Sequence, residues 1–115
     1  MDTLFTARSP LGYSVICTKN QWENHVIASH GIMTKKEHLV KNTISSPIAI
    51  YQSDEFPNRD VYFAHSGHNN NNIKYTKTIV EVKSNNSAEV VSAWLQPRIS
   101  GNINPEVMKY VDLKL

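Results

Sequence analysis

The sequence predicts an α+β domain in which two N-terminal helices pack on a small, mostly antiparallel sheet of four to five strands. Helical signals are concentrated between residues 20 and 44, after one early strand. The later apolar runs are short, rich in β-branched residues and bounded by turn residues, as strands are. A run of helices followed by a run of strands is typical of the α+β class.

The length and charge of the chain suit one small domain. The 115 residues indicate a single domain over 1–115, with a core of about residues 13–98 and a C-terminal tail over 99–115. The formal charge of +2 permits a nucleic-acid partner without requiring one. No signal-peptide pattern and no apolar run of ~20 residues is present. We therefore expect a soluble cytoplasmic protein with no membrane partner, although a toxin domain cut from a longer delivered protein would look the same.

The first predicted elements are a strand over residues 13–18 and a helix over residues 20–29. Asn20 can cap this helix, and Glu23, three residues later, can bind back to the cap. Gly31 is a natural residue at which a helix ends.

A second helix and four further strands follow. The capping box Thr34-Lys-Lys-Glu37 predicts a helix that runs to Ile44. The asparagine-rich stretch over residues 66–74 predicts a loop without packing residues. The remaining β-branched runs predict strands over residues 48–52, 60–65, 79–83 and 89–95.

The two ends of the chain are less defined. Residues 1–12 end in the turn signal Ser9-Pro-Leu-Gly12. In the tail, Asn104-Pro-Glu106 can begin a short helix. The alternation over residues 108–115 instead suits an edge strand, and both interpretations stay open.

The reactive residue types exclude several classes of site. Cys17 is the single cysteine, so no internal disulfide is expected, and its apolar neighbours favour a buried structural thiol. A nucleophilic role would need a basic neighbour such as His25. His65 and His68 form the nearest approach to a metal pair but lack further ligands at zinc spacing. We predict no metal and no cofactor.

The pattern with most chemical content is an ordered set of motifs that would suit a metal-free ribonuclease. RNA can be cleaved when a base takes the proton of the 2′-hydroxyl, an acid protonates the 5′-oxygen and a cation steadies the phosphorane. Histidine suits the proton transfers, and arginine suits the phosphate. The motifs are Trp22-Glu-Asn-His25, His30-Gly31, Pro47-Ile-Ala-Ile-Tyr51, Arg59-x-x-Tyr62 and Val90-Val-Ser92-Ala-Trp94.

In this order the motifs resemble the phage-borne branch of the barnase–EndoU–colicin E5/D–RelE-like nuclease superfamily. The resemblance covers roughly residues 13–98, with Gly31 where the branch often has proline and Ser92 where threonine is common. It implies a metal-independent endoribonuclease that often acts on tRNA or other structured RNA. The expected active site lies on the open face of the sheet, beside the first helix. A cognate inhibitor or immunity protein is implied by the resemblance alone.

Seven residues are the candidates for this site. The predicted product is a 2′,3′-cyclic phosphate, with His25 as the principal acid or base and His30 as the second acid or base or its positioning residue. Arg59 would clamp the scissile phosphate and Ser92 would orient it. The substrate-binding candidates are Tyr62 and Trp94, which could stack on bases, and Lys83, which could hold a phosphate.

Each candidate also has a structural interpretation. The histidines could be helix-surface or helix-end residues, the charged side chains could be solvated, and the aromatics could be ordinary sheet residues. The alternative function is a non-catalytic RNA- or protein-binding module of the same fold, such as an antitoxin or immunity-type interaction protein. That alternative predicts that His25→Ala leaves the function intact.

Overall fold

A computed structural model describes residues 2–113, which form one mixed sheet of seven strands with two short helices. The predicted sheet of four to five strands beneath two N-terminal helices is therefore wrong. The strands are β1 (Thr3–Arg8), β2 (Ser14–Thr18), β3 (Ala49–Ser53), β4 (Arg59–His65), β5 (Tyr75–Val82), β6 (Ser87–Gln96) and β7 (Ile103–Val111).

Two strands beyond the five predicted ones form the edges of the sheet: the first was not predicted, and the second was one of the two open interpretations of the tail. The strand order is β1-β2-β6-β5-β4-β3-β7. The turn signal at Ser9-Pro-Leu-Gly12 closes a β1–β2 hairpin, and the residues before it form a strand. The C-terminal tail pairs with β3 as β7, so it is an edge strand and not a helix. The sheet thus extends beyond the predicted core of residues 13–98 at both ends.

Two long connections cross the sheet. Neighbouring strands are antiparallel, with the exception of the parallel pair β2–β6. The chain between β2 and β3 contains the helices and runs from β2, next to one edge of the sheet, to β3, next to the other edge. The chain between β6 and β7, residues 97–102, crosses back over three strands. We call residues 97–102 the strap.

The first helical segment is only partly α-helical. One α-helical turn, α1 (Lys19–Gln21), continues as a π-helix over Trp22–Ile27. Its cap is the hydroxyl of Thr18, which accepts from the backbone N–H of Gln21 at 3.0 Å, so the predicted Asn20 cap is wrong. Asn20 instead accepts a bond from the side chain of Asn24.

The second helix, α2 (Glu37–Ser45), begins later than its capping box predicts. Lys36 occupies the cap position without a side-chain hydrogen bond. The Thr34 hydroxyl donates to the carbonyl of Gly31 at 2.8 Å, so it serves the preceding turn. No helix within residues 2–113 is long and apolar enough to cross a membrane.

One face of the sheet, which we call the core face, holds the hydrophobic core under the helices. Antiparallel partners share a face, so Ile50, Tyr62 and Ala93 lie together on this side. They are buried against the two helices, which contribute apolar side chains from one stripe each. The helical core residues are Trp22, Val26, Met33, Val40 and Ile44.

The opposite face, which we call the cleft face, is covered only in part. Its register defines three successive rows of residues across β4, β5 and β6. The rows are Arg59–Glu81–Glu89, then Val61–Ile79–Ser92, then Phe63–Lys77–Trp94. The strap lies over the third row, where the ammonium of Lys77 donates to the carbonyl of Ser100 at 3.0 Å. The side chains of the first row are partly exposed, whereas in the second row Val61 is fully buried and Ile79 and Ser92 are partly exposed.

Candidate active-site cleft

The most polar part of the cleft face is a cluster of two cations and two carboxylates at the first row. Glu81 lies between the cations, with one oxygen 3.5 Å from Arg59 Nε and the other 2.5 Å from Lys83 Nζ. Lys83 also lies 3.4 Å from Glu89. Glu81 and Glu89 are direct partners in the register, an arrangement that is unfavourable for like charges unless cations lie between them.

Within the cluster, the charged forms of Glu81 and Lys83 stabilise each other. The hydrogen bond from Lys83, assisted by the charge of Arg59, lowers the pKa of Glu81. The hydrogen bonds to Glu81 and Glu89 raise the pKa of Lys83. The four side chains therefore sum to no net charge at neutral pH. An entering phosphate would compete with Glu81 for Lys83.

Arg59 retains donors for such a phosphate. Its guanidinium carbon lies 4.1 Å from the centre of the Phe56 ring, which supports the planar group from one side. Its Nε atom is buried and has no hydrogen bond. The remaining guanidinium N–H groups make no hydrogen bond to another described residue, so they are available to an incoming ligand.

A cavity of about 250 Å³ opens over this cluster. Its far wall is the start of the first helical segment, where Gln21 donates to the carbonyl of Val91 at 2.5 Å. This bond exists because β2 pairs with β6 only as far as Glu89, which leaves the next part of β6 facing the helix. The cavity is lined by Ile16, Thr18, Gln21, Arg59, Glu81, Lys83, Glu89, Val90 and Val91.

Ser92 lies on the same face, one row beyond the charged cluster. It is the partner of Ile79 and is half-buried. Its hydroxyl makes no hydrogen bond to another described residue. Adjacent rows are roughly 7 Å apart along a strand, so Ser92 borders the cavity without lining it.

Trp94 and His30 form a stack in the third row. Their rings lie 4.8 Å apart at 27°. The ammonium of Lys77 is 4.8 Å from the centre of the same indole ring. Trp94 is half-buried, so the stacking surface expected for an RNA base is taken up in part by His30.

His25 lies on the helical segment that forms the cleft wall. It follows Gln21 by four residues, so the two side chains share one side of the segment. It is exposed and makes no hydrogen bond, ion pair or ring contact with another described residue. His25 makes no contact with Arg59 or Ser92, so these three side chains do not form one hydrogen-bonded group.

Tyr62 lies on the other side of the sheet. It is fully buried in the core, and its hydroxyl bonds to that of Ser9 at 2.5 Å. Burial raises the pKa of Tyr62. It has no exposed ring surface, so the predicted role in base stacking is wrong for this residue.

The cysteine and the histidine pair lie away from the cleft chemistry. Cys17 is buried, as its apolar neighbours predict, and burial raises the pKa of its thiol to about 12. Such a thiol is almost wholly protonated at neutral pH and is a poor nucleophile. His65 stacks on Tyr75 at 5.2 Å. Within residues 2–113, no three His, Cys, Asp or Glu side chains are grouped so that they could hold a metal ion.

The motifs did not point to Glu81, Glu89, Gln21 or Lys77, which the structure brings to the cleft. Glu81 and Lys83 are two residues apart in the sequence, so the alternation of a strand already places them on one face. The pairing of Glu81 with Arg59 and Glu89 depends on strand register, which no local pattern encodes.

Comparison with known proteins adds no relative. No protein-family model, no curated protein and no solved structure matches the chain. Membership of the nuclease superfamily therefore stays a prediction that rests on the motifs.

Proposed function

We propose that the protein is a metal-independent endoribonuclease whose active site is the cleft on the open face of the sheet. One observation carries the proposal. Arg59 and Lys83 line a cavity of about 250 Å³, Ser92 lies one row beyond it on the same face, and the wall of the cavity is the start of the helical segment that bears His25 and is followed by His30. The resemblance to the nuclease superfamily, often active on tRNA, led us to expect an active site in this position.

The proposed reaction is acid–base transphosphorylation. Arg59 and Lys83 would hold the scissile phosphate, because both cations lie at one cavity and Arg59 has free donors. Ser92 would orient a phosphate oxygen or the attacking hydroxyl from the next row. His25 would be the principal proton carrier, and the stack with Trp94 would hold His30 for the second transfer. The product would be a 2′,3′-cyclic phosphate.

Glu81 is a second candidate for the proton acceptor. It lies between the two cations that would hold the phosphate, so a 2′-hydroxyl bound there would come close to it. Its lowered pKa makes it a weaker base than an unperturbed carboxylate but keeps it ionised. Glu81→Gln and His25→Ala therefore separate two assignments of the base.

The test is incubation of the pure protein with total tRNA and rRNA in excess EDTA. We expect discrete cuts by the wild type, ending in cyclic phosphate, and a loss of roughly 10²-fold or more for His25→Ala. His38→Ala is the matched control, because His38 is an exposed histidine on α2. It should cleave as the wild type does.

Two other results have defined meanings. Full activity of His25→Ala together with loss of activity in Glu81→Gln would move the base to Glu81. Intact RNA with every protein would contradict the nuclease assignment. RNA retained by the wild type without cleavage would then support a binding module.

The proposed site of action is the cytoplasm, where tRNA and rRNA are present. A cognate inhibitor protein follows from the family resemblance, and it would have to cover the charged cluster to block the cleft.

A further inference from the structure

The strap is attached to the sheet by one buried lysine. Lys77 is 1% exposed, although it lies on the cleft face. Its ammonium donates to the carbonyl of Ser100 at 3.0 Å and to Asn102 Oδ1 at 2.7 Å. Burial lowers the pKa of Lys77 to about 8, so the group remains mostly an ammonium at neutral pH.

The backbone of the strap is shaped to receive this ammonium. Gly101 and Asn102 both have positive φ, at 81° and 62°. A Cβ atom at Gly101 would lie 3.0 Å from Lys77 Nζ. A side chain at position 101 would therefore be strained by its backbone and would crowd the lysine. The close approach of strap and ammonium depends on glycine there.

The same ammonium also contacts the aromatic floor of the cleft. It lies 4.8 Å from the Trp94 ring centre and 5.7 Å from that of Phe63. Such cation–π contacts contribute most when they are removed from water, as they are here. Lys77 thus joins two parts of the cleft, the strap above it and Trp94 beside it.

A second side chain makes the same connection. Gln96 accepts a bond from Trp94 Nε1 at 2.9 Å. Its amide nitrogen donates to the carbonyls of Arg98 and Ser100 at 2.6 and 2.8 Å. The strap therefore holds the indole from two directions. Trp94 in turn stacks on His30, the second predicted proton carrier.

We propose that Lys77 is a positioning residue for the ribonuclease reaction. It ties the strap to Trp94, and so fixes the His30 imidazole that stacks on the indole. This inference rests on the proposed function. It adds a residue that no motif indicated and a role for the strap, which is bonded to Lys77 and Gln96.

The main test variant is Lys77→Met. Methionine has an unbranched chain that fits the apolar slot between Phe63 and Trp94, and the two strap acceptors belong to exposed residues that water can serve. The variant should therefore fold. Gln96→Leu breaks the second connection and leaves the lysine in place. Lys74→Met is the matched control, because Lys74 is an exposed lysine over the Tyr75 ring.

The first readout does not depend on activity. The imidazole protons of His30 lie over an indole ring, so their NMR signals are displaced upfield by the ring current. They are assigned by their loss in His30→Asn. We expect Lys77→Met to move them toward the position of an unstacked histidine, Gln96→Leu to move them part of the way, and Lys74→Met to leave them in place.

The second readout is the cleavage of a short RNA oligonucleotide. We expect kcat to fall about tenfold or more in Lys77→Met with KM nearly unchanged, since a displaced catalytic group affects the reacting state more than binding. Lys77→Arg keeps the charge and the donors, and it should recover part of both readouts.

Three results would overturn the inference. If the His30 signals stay in place in both Lys77→Met and Gln96→Leu, then the strap does not position His30 through Trp94. A moved signal with unchanged kcat would show that the connection does not serve catalysis. A wild type that leaves RNA whole would remove the proposed function and the positioning role with it. That failure differs from the others because it appears before any variant is made.

Discussion

Residues of the core face and residues of the cleft face alternate along the same strands, but the two faces differ in how deeply their ion pairs are buried. On the core face, the carboxylate of Asp60 is fully buried and bound to Lys109 at 2.6 Å. The cleft face places four charged side chains together in a half-exposed cluster. A single buried pair ties β7 to β4, whereas an exposed cluster adds little to stability. An exposed cluster that adds little to stability is consistent with the ligand-binding role that we propose for it.

The largest expected effect is the difference in unfolding free energy between the variants Lys109→Ala and Lys83→Ala. Lys109→Ala leaves Asp60 buried without its cation, which should lower the free energy of unfolding by about 3 kcal/mol. Lys83→Ala removes the same charge from the cleft face and leaves Glu81 opposite Glu89, which should lower the urea midpoint much less than Lys109→Ala does. Urea unfolding of both variants checks this. Equal losses would contradict the contrast between the faces.

A smaller effect concerns the pH dependence of stability that the buried Lys77 of the cleft face contributes. The folded pKa of Lys77, about 8, lies below its unfolded value near 10.5, so the unfolded chain binds more protons between these pH values. This group therefore destabilises the fold fully below pH 8, and its penalty is relieved as pH rises toward 10.5. The slope is at most about 1.4 kcal/mol per pH unit.

Other groups titrate in the same pH range, so the contribution of Lys77 is measured as the difference in stability between the wild type and Lys77→Met at each pH. The raised pKa of Cys17 acts in the opposite direction, because the folded thiol keeps its proton where the unfolded one loses it. Thermal unfolding of the wild type and Lys77→Met should show that the unfolding temperature of the wild type rises relative to that of the variant from pH 7 to pH 10. A constant difference across this range would contradict the lowered pKa.

The local patterns predicted the interior strands more clearly than the edges. Strands β3, β4 and β6 carry apolar residues on one face or both, so their sequences show strand patterns. Edge strand β1 is mostly exposed and shows no such pattern, and the alternation near the C-terminus left β7 open between an edge strand and a short helix. The parallel pairing of β2 with β6 joins residues about 73 apart, as between Ser14 and Ser87, and no local signal encodes it.

The candidate site was predictable in part for the same reason. Ser92 and Trp94 are two residues apart, so one regular strand places both on one face. Arg59 and Tyr62 are three apart, so the same rule places them on opposite faces. Tyr62 in the core and Arg59 in the cleft follow from that spacing. The contacts of Arg59 with Glu81 and of Lys77 with the strap needed the register and the crossover.

The most direct test of the account maps where RNA binds. A 2′-O-methyl RNA oligonucleotide has no free 2′-hydroxyl to attack the phosphate, so it can be titrated into the wild type and followed by amide NMR. The account predicts chemical-shift changes at the cleft, around Arg59, Lys83 and Ser92. Changes are also expected in the first helical segment, which bears His25, and at His30 after it. Residues of α2 and β7 should stay unmoved. Shifts centred on α2 or β7, or none anywhere, would contradict the assignment of the cleft as an RNA site.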